Sequence, residues 1–165
     1  MSLKDGLIAE LKHESASTKK MLERVPYDKQ DWKPHDKSMT LGKLAVHVAE
    51  IPHWISDIIN IDEFDFEQHY KPNQAGSQEE LMKVYQDNLD AAVANIEKMG
   101  DADFFKMWTV KKGDQVYHNL PKVVAIRAWA FSHLVHHRGQ LSVYLRLLDV
   151  PVPGMYGPTA DEGFM

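Results

Sequence analysis

His133 and His137 stand four residues apart in Phe131-Ser-His-Leu-Val-His-His-Arg-Gly-Gln-Leu141, inside a long helical pattern. A third histidine, His47, lies on an earlier helical stripe in Leu41-Gly-Lys-Leu-Ala-Val-His-Val-Ala-Glu50. Residues four apart advance about 400° around a helix, so the two imidazoles stack one turn above the other on one face. A pair placed this way can hold one metal ion, and a third imidazole from a facing helix makes a three-histidine site with an open position. Such a site suits Lewis-acid chemistry better than structural stapling. Neutral imidazole suits zinc, nickel, iron and copper, and with no cysteine in the chain no softer ligand competes.

The stripe around the pair reads Val123, Ile126, Ala130, His133, His137, Leu141, Tyr144, Leu148, and His47 falls between Leu44 and Ile51. All three histidines thus take positions that otherwise hold core residues. An imidazole losing solvent must find partners for two ring nitrogens, and one shared cation would satisfy all three. The competing explanation, three separate hydrogen-bonded core histidines, remains open at this point. His136 is turned about 100° from His137 and His53 about 240° from His47, which places both at a flank, a surface or an interface. His13, His35, His69 and His118 carry no assigned role.

Glu50, one turn after His47, fits an acceptor that orients an imidazole, a fourth ligand, a general base, or a plain solvated carboxylate. Arg138 is expected to pair with a carboxylate rather than with substrate. Glu14, Ser15 and Thr18 interrupt the apolar face of the first helix, either as an ordinary tolerated core feature or as the mouth of a polar cavity.

Four helical segments can position these groups. The first runs from Leu3 to Arg24 and is closed by Pro26. The second starts after Thr40, a good N-cap, and carries Leu41, Leu44, His47, Val48, Ile51, Ile55 and Ile58, with Pro52 as the place for a kink. The third opens on the capping-box spacing Ser77-Gln-Glu-Glu80 and ends at Gly100. The fourth opens at Asn119-Leu-Pro121, with proline in its first turn, and continues to Leu148. Phe105–Val110 and Gln115–His118 flank a Gly-Asp turn and predict a short β-hairpin before the last helix. The acidic, aromatic stretch from Asn60 to Ala75 reads as one long crossover. This is an all-α pattern, a four-helix bundle within a single domain over 1–165.

Composition narrows the function classes. With 165 residues, 44% hydrophobic and 26% charged, the chain can build a core without disulfides. A net charge of -5 argues against nucleic acid and against an anionic membrane surface as partners. No apolar run approaches the roughly 18–20 residues of a membrane span, and the N-terminus lacks the apolar core of a signal peptide. The absence of cysteine excludes a thiol nucleophile of the protein's own and fits a reducing cytosol, so a cytoplasmic location is expected.

Three pieces together resemble the DinB / YfiT-like superfamily of damage-inducible metalloproteins: Leu41–Trp54, His133–Leu141, and the tail Val150-Pro-Val-Pro-Gly-Met-Tyr-Gly-Pro-Thr-Ala-Asp-Glu162. The resemblance covers nearly the whole chain. It implies up-down-down-up topology for the bundle, a divalent metal on His47, His133 and His137, and a homodimer. It also implies a low-molecular-weight thiol such as bacillithiol, mycothiol or glutathione as cosubstrate, activated for transfer to an electrophile. Zinc or nickel are the first candidates for the ion, with iron and manganese behind them. Glu50 is then the expected catalytic or orienting group, and Tyr156 in the tail a cofactor-binding lid over the pocket. The alternatives are a metal-dependent hydrolase that uses water and, in another class, a non-catalytic metal-binding or stress-related interaction protein. The homodimer expectation also draws on Trp54 and Trp129, which have no evident role within the chain.

Overall fold

The computed structural model describes residues 2–163, so Met1, Phe164 and Met165 of the expected 1–165 domain lie outside the described residues. Helix α1 (Leu3–Glu23) begins at a reciprocal cap: Ser2 Oγ accepts from the Asp5 N–H at 3.3 Å and the Asp5 carboxylate accepts from the Ser2 N–H at 2.9 Å. Helix α2 (Leu41–Asn60) starts on Thr40, whose hydroxyl accepts from the Lys43 N–H. Its first turn lies hard against the preceding segment, because the Gly42 N–H donates to the Gln30 carbonyl at 2.8 Å. A Cβ at position 42 would stand 3.0 Å from Gln30 Cβ and 3.2 Å from the Gln30 carbonyl oxygen, so any larger residue would have to push that segment back.

Helix α2 is the spine of the molecule. Leu41, Leu44, Ala45, Val48, Ala49, Ile51, Ile55 and Ile58 are all buried, and α1, α4 and the last helix pack around it. Pro52 is accommodated inside the continuous helix. At its C-terminal end the buried Lys122 ammonium donates to the Ile59 carbonyl at 2.8 Å and pairs with Asp62, placing a cation where the helix dipole is negative.

The stretch expected as a plain crossover contains two elements, strand β1 (Glu63–Asp65) and a single turn, α3 (Phe66–His69). Helix α4 (Gln78–Lys98) follows, capped by Ser77 accepting from the Glu80 N–H at 3.1 Å, and buries Leu81, Tyr85, Ala92 and Ile96. The predicted hairpin is present as β2 (Met107–Lys112) and β3 (Gln115–Pro121), turning at Gly113 with φ +55°. It reaches further than its sequence pattern indicates. Trp108 pairs with Leu120 and Met107 with Pro121, so Pro121 ends a strand instead of sitting inside the first helical turn. β1 joins the hairpin by pairing parallel to β2, Phe64 opposite Val110, to give a three-stranded sheet in the order β1-β2-β3.

The last helix is continuous but not uniform. A short α5 (Lys122–Ala125) passes into a π-helical stretch, Ile126–Ser132, and then into α6 (His133–Leu147). The wider π turn slows the winding. The inner line therefore runs Ile126, Ala130, Leu134, Arg138, Leu141, Leu145, and an ordinary 3.6-residue pitch would have taken it through 133 and 137. His133 and His137 end up half-buried at the margin of the core rather than on its axis. The chain is thus mostly helical with one small sheet, its long helices packed on α2.

Candidate metal centre

Helices α2 and α6 bring His47, His133 and His137 together. One nitrogen from each lies within 4.8 Å of the other two, and among the described residues this is the only group of three potential ligands so arranged. His47 Nε2 and His133 Nε2 are 3.2 Å apart, and the three ring centroids are separated by 4.5–5.0 Å.

The outward-facing nitrogens explain how the rings are held. His47 Nδ1 meets Glu50 Oε1 at 2.8 Å, His137 Nδ1 meets Gln140 Oε1 at 2.8 Å, and His133 Nδ1 meets the Trp129 carbonyl at 3.3 Å. Each partner is an acceptor, so each Nδ1 carries the proton and each Nε2 turns a lone pair inward. Burial, then the neighbouring rings of His137 and His47, pushes the His133 pKa down to about 4. Burial likewise lowers that of His137. Neutral rings with opposed lone pairs repel one another unless a cation sits between them. The donor set therefore fits a transition-metal ion, and the acceptors behind it are the kind that orient metal-binding imidazoles.

Glu50 is buried and fully engaged. Oε1 accepts from His47 and from the Tyr70 hydroxyl at 3.1 Å, and Oε2 accepts from the Asn73 N–H at 3.1 Å. Burial alone raises its pKa, but these donors outweigh burial and hold it below the usual value. Partial loss of solvent around the Tyr70 hydroxyl, and then the Glu50 charge beside it, push the phenol up to about 12. Of its sequence-level alternatives, Glu50 takes the place of an acceptor that orients His47, and it also ties the Tyr70–Asn73 segment to that ligand.

A cavity of about 550 Å³ opens beside His47 and Glu50, walled by Thr40, by Lys43 and Val46 of α2, by Gln30 and Asp31, and by Tyr70 and Pro72–Ala75. Tyr156 is not among its lining residues. Its hydroxyl instead inserts into a buried ion pair between α1 and α6, accepting from Arg138 at 2.6 Å and donating to Glu14 at 2.7 Å. Arg138 also donates to the Glu14 carbonyl and to Thr18, so the polar interruption of α1 is filled by a guanidinium and is not a cavity mouth. Trp54 and Trp129 do have intrachain roles: both pack with Phe66 in an aromatic cluster between α2 and the sheet, and Trp54 is buried. His136 is exposed, its ring edge-on to His137.

Sequence reasoning missed Gln140, Tyr70 and the Trp129 carbonyl. Gln140 had a readable signal, since it follows His137 by three residues as Glu50 follows His47. Tyr70 had none, because the crossover carries no period.

The model of the DinB family matches residues 1–163. The fold is shared with a DinB-like protein of Bacillus cereus ATCC 10987, with TM-score 0.72 and 22% identity over 92% of this chain and 97% of that one. It is shared also with the DinB-like protein YjoA of Bacillus subtilis, with TM-score 0.71 and 17% identity over 91% and 97% of the two chains. No curated protein matches the chain.

Proposed function

Because the chain belongs to the DinB family, we propose that His47, His133 and His137 hold a divalent transition-metal ion in an enzyme acting on a small thiol and an electrophile. The observation that carries this reading is the convergence of one ring nitrogen from each of three histidines, all within 4.8 Å of one another, while every Nδ1 meets an acceptor. When bound, the ion supplies a Lewis acid that lowers the pKa of a thiol, or of water, toward neutrality. The residues around it do the remaining work. Glu50 and Gln140 keep two imidazoles in the ligating tautomer, and the Trp129 carbonyl keeps the third. The cavity beside His47 gives cosubstrate and electrophile a place to meet, and a protein without cysteine needs its thiol from outside.

The four long helices are read as an up-down-down-up bundle with the centre clasped between α2 and α6. A homodimer belongs to the same reading, through the exposed Val135, Val143 and Leu147 of α6. No helix among the described residues is long and apolar enough to cross a membrane.

The test is elemental analysis of protein purified without a histidine tag, followed by a panel of thiols and electrophiles. Turnover that requires both metal and thiol supports the transferase. Turnover without thiol supports a metal-dependent hydrolase. A metal-loaded protein inert across the panel indicates a non-catalytic binding role, and protein that takes up no divalent metal overturns the reading.

A further inference from the structure

Resting on the metal centre proposed above, we propose that the π-helical turn Ile126–Ser132 belongs to that centre: one surplus residue in it releases the Trp129 carbonyl from the helix ladder and gives it to His133 as its positioning acceptor. The surplus can be counted. Along its buried face the last helix takes twelve residues, Ile126 to Arg138, for three turns that an α-helix completes in about eleven. Neither end can wind on to absorb the difference. Lys122 is fixed to the Ile59 carbonyl and to Asp62, and Arg138 is fixed to Glu14.

The released carbonyl goes where an acceptor is needed. In an α-helix the Trp129 carbonyl would accept from the N–H of residue 133. Here the His133 N–H donates to the Ala130 carbonyl instead, and the His133 Nδ1–H donates to the Trp129 carbonyl at 3.3 Å. His47 and His137 have no such need, since each finds a side-chain acceptor three residues on, Glu50 and Gln140. Three residues beyond His133 stands His136, which is exposed and has no carboxylate or amide oxygen to offer. The main chain therefore takes the part that Glu50 and Gln140 play, and the widened turn is what leaves it free to do so. Wide turns of this kind are rare and recur at functional sites. This one ends immediately before a ligand and is bonded to it.

The test compares wild type with a variant lacking the exposed Ala128, which returns the segment to ordinary winding while both anchors keep their register. Zinc affinity is read in competition with a chelator, and Tm on the chelated protein. The deletion should weaken zinc about tenfold, the scale for losing the outer partner of a ligating histidine, while the chelated Tm stays at or above the wild-type value. That opposition separates a role at the centre from a role in packing, whose loss would lower both. A second variant keeps the winding: an ester in place of the amide between Trp129 and Ala130 makes that carbonyl a poorer acceptor. It should weaken zinc several-fold, and an ester one residue later, between Ala130 and Phe131, should not. Deletion protein that binds zinc as tightly as wild type overturns the proposal and leaves the metal centre standing. If the deletion lowers Tm as well, the ester pair decides, and equal zinc affinities for the two esters overturn the role of the carbonyl. Wild type that takes up no zinc overturns the metal centre and this proposal together.

Discussion

Arg138 on α6 grips Glu14 on α1 twice, donating to its carboxylate at 2.6 Å and to its backbone carbonyl at 3.0 Å, with only 2% of Arg138 exposed. Because Arg138 directly follows His137, this grip sets the rotation of α6 about its own axis and so the direction in which His137 points.

Removing one partner should be costly. Arg138→Met or Glu14→Ala leaves a buried charge or its donors unpaired, and each is expected to lower stability by about 3–5 kcal/mol in urea denaturation. The double replacement Glu14→Leu/Arg138→Met should recover much of that loss. Tyr156→Phe removes one hydroxyl from the network and should cost about 1 kcal/mol. Single replacements as stable as wild type would show that the pair does not hold α6 against α1.

For the ion, His47→Ala, His133→Ala and His137→Ala should each cut affinity severely in competition with a chelator, and the exposed His136→Ala should leave it nearly unchanged. Glu50→Gln keeps the shape but loses the carboxylate behind His47, and should weaken binding roughly 10–100-fold. A loss in His136→Ala that His137→Ala does not share would show that the wrong histidine had been assigned.

Chelation should preserve the helical circular dichroism while lowering Tm. The core is large and apolar, and the vacated imidazoles can bond water, so the fold does not need the ion. A ligand held only by the native state stabilises by mass action, about 2.7 kcal/mol at a hundred times its Kd. Apo protein that is unfolded at room temperature would make the centre structural.

The C-terminal tail should respond to acid. Asp161 accepts from Arg146 and from the Val152 N–H, and these donors, Arg146 first, hold its carboxyl below the ordinary 3.8. A depressed folded value means the clamp contributes fully above the unfolded pKa and is lost as pH falls through the folded one. The Val152 amide resonance should therefore hold steady from neutrality to about pH 4 and shift only below it. In Asp161→Asn that transition should be absent. A midpoint above 3.8 would contradict the clamp.

Much of this was legible in the sequence where the signal was local. Thr40 and Ser77 cap their helices because a hydroxyl on the residue just before the first helical turn has a free backbone N–H within reach. The i, i+4 spacing of His133 and His137 carries their shared direction by itself. What was not legible depends on distant partners or altered winding. Strand β1 has three residues, too few to show a period, and exists because β2 lies beside it more than forty residues later. The π stretch moved the inner line by one position, so a uniform pitch put the histidines deeper than they are. Tyr156 and Trp54 were misread because what they touch comes from other helices.

The three imidazoles come from only two helices, and His47 and His133 are 86 residues apart in the chain. Closing a loop of that length is an entropic toll met only as the fold completes. A chain that has formed α6 alone offers a two-nitrogen chelate, and the third nitrogen arrives only when α2 docks. Uptake of the ion in a refolding experiment should accordingly lag the first gain of helix and coincide with the last step of assembly.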